Sequence, residues 1–534
     1  MKKKLLAILT GAALLTSTIS VPAFAATSKV TLLDISNKHR GDVVTITGTS
    51  SFSEVVVKII SPDGLVMYVD NLYVAGGQFS KSITLSETTQ FGTYTVVVGQ
   101  GTEVQSDLFT ILEDNAGGGG GGSTGGGTTT TGTSIPGVIN QGQTQAPVKA
   151  DTKTDGNKVL ATVSDADLAA ALKDSSSAVA VVVSIPTTGT QQAQLTLSSA
   201  QLSSLSGANT ATTFVASTGV SSVALPVSVL KKIPAGASIN IVIGQAADSS
   251  ATFTNQVAGA TVLSTPVSFE VNVVTGTESA PIDLAGQDFV KRSFLINGNV
   301  DTATAGVLFI ENGSVRSVPA TFTKNADGTI TVTVNRPGFS TYAVASRPVS
   351  FSDIGTSYAQ DRIQSLASKF LLYGTSTNTF SPEQNVTRAE FAAMLVRALG
   401  LQPSNSAPFS DVAATDWFAQ DVASVYEAGL VNGVGNGQFD PNADISRQDL
   451  TVMLSNAIKM LNIPKKQGSE HVEYVDASGF ASYAKDSIAT VTESGLMTGE
   501  AVNGTYSFHP TDSTTREAAA TVLFFLLQNA KLIN

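Results

Sequence analysis

Three arginines at equal spacing from a proline are the residues of this chain best suited to chemistry. Arg388, Arg447 and Arg516 each lie six residues after the proline of a Phe-x-Pro turn: Phe380-Ser381-Pro382, Phe439-Asp440-Pro441 and Phe508-His509-Pro510. Each arginine follows a threonine or serine (Thr387, Ser446, Thr515) of the type that caps helix N-termini. Thr387-Arg388-Ala389-Glu390 fits a capping box, in which the hydroxyl accepts from the N3 amide and the glutamate reaches back. Ser446-Arg447-Gln448-Asp449 is a close variant, and Thr514-Thr515-Arg516-Glu517 breaks the pattern. The arginine thus stands at the first helical position, beside unpaired N–H groups and the positive end of the helix dipole. A cation there is mildly unfavourable, by about 0.3–1 kcal/mol. A bound anion reverses that, because helix N-termini and guanidinium groups both bind carboxylates. The alternative is a salt bridge to an acidic side chain of a neighbouring repeat, and spacing alone leaves both open.

The elements that position these arginines repeat with them. Tyr358, Trp417 and Tyr483 open the three copies, followed five residues later by Ile363, Val422 and Ile488 and three further on by Leu366, Val425 and Val491. This spacing predicts one buried helical face, with Gly374, Gly433 and Gly499, eleven residues after the Ile/Val, as its stop. A second helix after each arginine buries Phe391, Met394, Leu395 and Leu399 in copy one, Leu450, Met453, Leu454 and Ile458 in copy two, and Ala519, Val522, Leu523 and Leu527 in copy three. Each copy is helix-loop-helix with too little apolar surface to stand alone, so three copies must share a core.

Charge restricts the partner. The formal net charge is −11, which argues against a nucleic-acid binder. From 351 to 534 there are 19 Asp and Glu against 11 Lys and Arg. A polyanion is not drawn to such a region by its overall field, so recognition must come from local arginine pockets. Catalytic signals are weak: cysteine is absent, and His39, His471 and His509 form no pair with metal-ligand spacing. No cofactor, metal site or catalytic residue is expected.

Ahead of the repeats, 1–25 reads as a secretory signal: Lys2-Lys3-Lys4, an apolar run from Leu5 to Leu15, and an Ala23-Phe24-Ala25 cleavage site. No other stretch has the apolar length of a spanning helix, so the mature chain is expected off the membrane. Residues 27–114 alternate strands and turns, including Val55 to Ile60, Pro62-Asp63-Gly64 and Gly92 to Val98, and fit an immunoglobulin-like β-sandwich. Residues 115–150 are a Gly/Thr/Gln-rich linker. Residues 151–346 read as a β-rich domain with short helices, with strands at Ala178 to Ile185 and Ile239 to Ile243 and a hairpin turn at Asn325-Ala326-Asp327-Gly328.

The repeats, at 348–402, 407–464 and 471–530, resemble the S-layer homology (SLH) domain. The resemblance rests on Phe351-Ser352-Asp353-Ile354, Phe409-Ser410-Asp411-Val412, Trp417, Gly429-Leu430-Val431-Asn432-Gly433, Phe439-Asp440-Pro441 and Thr387-Arg388-Ala389-Glu390. It implies a C-terminal all-α pseudo-threefold bundle with three grooves. It also implies non-covalent attachment to a secondary cell-wall polysaccharide, a peptidoglycan-linked polymer whose pyruvate ketal meets the motif arginine. Arg388, Arg447 and Arg516 fill that position. Asp353 and Asp411 fill the family's aspartate, with Asp476 a looser match, as helix caps or as ligand contacts. Trp417 fills the family's aromatic position, with Tyr358 and Tyr483 in its place in the other copies, either stacking on sugar or filling the core. Copy one departs in having Phe370 where Gly429 and Gly495 stand in the others. Copy three has three extra residues between Gly499 and Phe508.

The expectation is a secreted, wall-anchored protein of a Gram-positive-type surface, either an S-layer subunit able to self-assemble or an S-layer-associated protein. The alternatives are an adhesin whose N-terminal module binds an external glycan or protein, and a wall-glycan hydrolase in 151–346.

Overall fold

The computed structural model describes residues 29–111 and 137–534, apart from 34, 36–37, 39, 62–65, 87–88, 101–102, 141–142, 174–178, 285, 299, 326, 406, 467–471 and 503–504. The signal at 1–25, most of the linker, the Pro62-Asp63-Gly64 turn, His39 and His471 lie outside the described residues. The chain divides into two compact units, one up to Thr129 and one from Thr130 to Asn534.

The first unit has two antiparallel sheets. Val30–Leu32, Val43–Ser50 and Gln78–Thr84 form one; Val66–Tyr73, Glu54–Ile60, Gly92–Gln100 and Glu103–Ile111 form the other. Alternation dictates their inner faces: Val55, Val57 and Ile59 are buried while Val56 faces out. Tyr94 stacks on Phe109 at 5.3 Å in the shared core.

In the second unit, seven strands including Val179–Ser184, Thr213–Ser217 and Ile330–Arg336 make one sheet and ten make another, around a common core. Val179 to Val183 are buried without alternation, as befits a central strand. Thr144–Val148, assigned by composition to the linker, instead pairs in parallel with Val179–Ser184. Ala320–Lys324 and Ile330–Arg336 form the hairpin expected around Asn325.

The expected all-α bundle at the C-terminus is corrected. The chain is β-rich, and its repeat region mixes short helices with strand pairing. Each copy has two helices: Gln360–Ser368 and Arg388–Leu399, Ala419–Glu427 and Arg447–Met460, and Lys485–Glu493 and Arg516–Asn529. The third copy also has an antiparallel hairpin, Glu500–Val502 with Thr505–Ser507, in the segment that holds its extra residues. Extended residues before the second helices pair between copies, Asn385 with Thr515, Thr387 with Asp444 and Ser446 with Ser513. Helical spacing reports the buried helix faces but is silent on these connecting segments. The three copies share one apolar core.

The repeats are also not a free-standing module. Phe370 ends the first helix at φ 64°, where the other copies have Gly429 and Gly495 at φ 72° and 71°. A bulky side chain in the left-handed region costs about 1–2 kcal/mol. It is offset by packing: Phe370 is fully buried among Phe253, Leu308, Ala343 and Ala345 of the β-rich domain, under the Arg347 guanidinium at 4.7 Å. Next to it, Lys369 donates to the carbonyls of Thr302 and Ala303 at 3.2 and 2.6 Å. Gly306 permits this approach, since a Cβ there would meet the Lys369 carbonyl at 2.6 Å. Buried Arg336 pairs with Glu311 at 2.6 Å and donates from Nε to the Gly400 carbonyl at 2.9 Å.

Candidate functional site

Each arginine reaches the turn of the following copy. Nε of Arg388 donates to the Phe439 carbonyl at 2.9 Å, Nε of Arg447 to Phe508 at 2.9 Å, and Nε of Arg516 to Phe380 at 2.8 Å. The guanidinium carbons lie 5.0, 5.1 and 4.7 Å from the same phenylalanine rings. The helix starts are built as the cap residues predict. Thr387 and Glu390 form a complete capping box, Ser446 accepts from the Asp449 amide, and Thr515 accepts from Ala518 without a reciprocal partner.

Burial pushes all three arginine pKa values down, while Asp449 acts against it at Arg388, Asp512 at Arg447 and Glu390 at Arg516. These carboxylates act at a distance. Among the described residues none lies within the 4.0 Å of a salt bridge to any of the three arginines. The intramolecular ion pair left open by the sequence is therefore not how these charges are held. The copies differ in the rest of the guanidinium: Nη2 of Arg516 donates to the Tyr373 carbonyl at 2.8 Å, whereas the Nε bonds are the hydrogen bonds described for Arg388 and Arg447.

The aspartates brace turns and do not cap helices. Asp353 accepts from the amides of Phe380 and Ser381, Asp411 from Phe439 and Asp440, and Asp476 from Phe508 and His509, all between 2.7 and 3.1 Å. They brace the Phe-x-Pro turns, whose middle residues Ser381, Asp440 and His509 have φ of 57°, 58° and 57°. Burial pushes these carboxyls up, but the turn amides outweigh it and hold them below the usual aspartate range.

Gly374, Gly433 and Gly499 lie beyond the helix ends and permit a close approach. A Cβ would meet the carbonyls of Thr379, Gln438 and Ser507 at 2.3–2.5 Å and the rings of Phe351, Phe409 and Tyr474. Tyr358, Trp417 and Tyr483 are not core residues: they are 62%, 66% and 60% exposed. Tyr483 donates to Asp449 at 2.7 Å, and burial with that carboxylate pushes its pKa up to about 12.

These parts converge on a groove. A cavity of about 260 Å³ is lined by Arg388 of the first copy, Asn432, Gly433 and Asp449 of the second and Tyr483 of the third. It offers a desolvated cation, an aromatic wall and a carboxylate acceptor, groups that form charge-assisted hydrogen bonds. Asn432 and Asp449 were not singled out by sequence, although Asp449 stands at the capping-box position and Asn432 beside the motif glycine. No group of three possible metal ligands occurs among the described residues, and no helix there is long and apolar enough to cross a membrane.

The S-layer homology domain family matches residues 350–392, 408–451 and 473–520. Over 201 residues the chain is 32% identical to an amylopullulanase of Thermoanaerobacterium thermosulfurigenes, covering 38% of this chain and 11% of the enzyme. It is 27% identical over 172 residues to the surface-layer 125 kDa protein of Lysinibacillus sphaericus, covering 32% of this chain and 14% of that one. Salmonella alpha-2-macroglobulin reacted with methylamine aligns over 58% of this chain and 20% of its own at 9% identity, with a TM-score of 0.16 that carries no argument. The chain thus spans a small part of these curated relatives. It carries three S-layer homology domains and is a cell-wall-associated surface protein.

Proposed function

We propose that the repeats anchor this chain non-covalently to an anionic secondary polysaccharide of the cell wall, a polymer linked to peptidoglycan. Arg388 and Arg447 receive the carboxylate of a pyruvylated sugar, and Tyr483 and Tyr358 wall the two grooves. The carrying observation is that the motif arginines are desolvated yet lack a carboxylate within salt-bridge distance. An acidic ligand supplies that missing partner, and charge-assisted bidentate bonds are the strong ones. Arg516 contributes less, because Tyr373 already takes one of its nitrogens. The β-rich units are the cargo, in an S-layer or S-layer-associated structural role, with self-assembly as one use of it.

A cavity of about 550 Å³ in the β-rich domain supports a non-enzymatic reading of that domain. Thr187, Gln191, Gln245 and Asn297 line it, side chains that hydrogen-bond without titrating near neutral pH. The adhesin reading is favoured by one feature of the first unit: Val56, Val69 and Tyr73 are exposed on one sheet face at 42%, 58% and 84%.

Co-sedimentation of the full chain with purified walls tests the anchoring reading. Binding is expected to walls that retain the secondary polymer and to disappear once it is chemically removed. Binding that survives stripping would overturn it.

A further inference from the structure

Next to Tyr373, whose carbonyl Arg516 binds, the β-rich domain packs against the first repeat. The hairpin of Gly306–Glu311 and Ser314–Val318 lies against the Arg388–Leu399 helix, and between them is a cavity of about 230 Å³. Arg316 enters from the hairpin, Arg397 from the first repeat, and Trp417 and Asp421 from the second. Tyr373 completes the wall, and its carbonyl is the one bound by Arg516.

The charges here do not neutralise one another by contact. Among the described residues no ion pair or hydrogen bond joins Asp421 to either arginine. The Nε atoms of Arg316 and Arg397 are both buried without a hydrogen-bond partner. Arg316 is oriented by donation from Nη2 to Gln420 at 3.0 Å, and Arg397 lies 5.4 Å from the Tyr373 ring. Burial pushes Arg397 down and Asp421 up, the latter against the pull of both arginines. Two like charges and a desolvated carboxylate around one cavity are costly as a purely structural joint. A ligand with one acidic group and several hydroxyls satisfies all three.

We propose that the β-rich domain and the repeats together form a composite pocket for one acidic sugar residue. The acid group lies between Arg316 and Arg397, a ring hydroxyl donates to Asp421, and the apolar face of the sugar rests on Trp417. This rests on the anchoring reading and adds that the β-rich domain is part of the recognition surface. Carboxylate and phosphate share the required chemistry.

Trp417 is the only tryptophan of the chain, so its emission reports on this pocket alone. The full chain is titrated with a methyl hexoside carrying a pyruvate ketal, with glucose 6-phosphate, and with a neutral methyl hexoside. A saturable change is expected with one or both acidic sugars and none with the neutral one, and the stronger acidic arm identifies the group. Arg316→Gln is expected to weaken that response about tenfold or more, equivalent to about 1.4 kcal/mol. The same variant still co-sediments with walls through Arg388 and Arg447. Absence of any saturable response, an equal response to the neutral sugar, or an Arg316→Gln chain that titrates like the parent overturns the proposal while leaving wall anchoring intact. Loss of wall binding by the parent chain overturns the anchoring reading instead.

Discussion

Nε of Arg516 donates to the carbonyl of Phe380, 136 residues earlier in the chain, at 2.8 Å. With Arg388 on Phe439 and Arg447 on Phe508, this bond closes a ring in which every copy holds the turn of the next. The motif arginine is thus a joint between copies as well as a candidate ligand group. One nitrogen fixes the fold and the others are left to differ. That is why the three positions, alike in sequence, are not alike in chemistry.

The first consequence concerns stability. Arg516 loses two carbonyl partners on mutation to alanine, Phe380 and Tyr373, whereas Arg447 loses one. Hydrogen bonds to charged groups contribute about 1.5–3 kcal/mol each. Arg516→Ala is therefore expected to destabilise the chain by roughly that amount more than Arg447→Ala, measured as urea midpoints at constant slope. Equal midpoints would show that the Tyr373 bond contributes nothing.

The braced turns set an acid limit. Asp353, Asp411 and Asp476 have folded pKa values below the ordinary value, so their contribution is fully present above the unfolded pKa, about 3.9. It is lost as pH falls through the folded values. Unfolding midpoints of the repeat region should fall steeply below about pH 4. Asp411→Asn should lower the midpoint at pH 7 and flatten part of that acid dependence. A variant with the parent's full acid slope would remove Asp411 from the account.

Phe370 ties the repeats to the β-rich domain. Replacing a buried phenylalanine by a small residue costs about 3–5 kcal/mol, and glycine returns about 1–2 kcal/mol by relieving the left-handed backbone. Phe370→Gly should therefore be destabilising by roughly 1–4 kcal/mol net. It should also speed proteolytic cleavage near 346–350. A glycine variant as stable as the parent would mean that the strain at Phe370 outweighs its packing.

Much of this was legible because it is local. The capping box at Thr387 and Glu390 and the buried faces of Phe391, Met394 and Leu395 follow from spacing within one helix. The extra residues of the third copy were countable, but their hairpin was not, since Glu500–Val502 and Thr505–Ser507 are too short to show a strand period. The bracing role of the aspartates has no local signal, because the amides they accept from lie 27 to 33 residues away. Phe370 was visible as a departure from the pattern. Its reason, a socket made of Phe253, Leu308 and Ala343, is a long-range contact that no spacing within the repeats encodes.

The most direct test of the central claim is calorimetric titration of the full chain with polysaccharide released from purified walls. Arg388→Gln combined with Arg447→Gln is expected to lower affinity by about a hundredfold or more, equivalent to about 2.8 kcal/mol, with a thermal melt confirming that the variant is folded. Lys465→Ala combined with Lys466→Ala, at an exposed site where Lys465 pairs with Glu493, should leave affinity unchanged. A folded double-arginine variant that binds like the parent, or an equal loss from the lysine pair, would contradict recognition by the motif arginines.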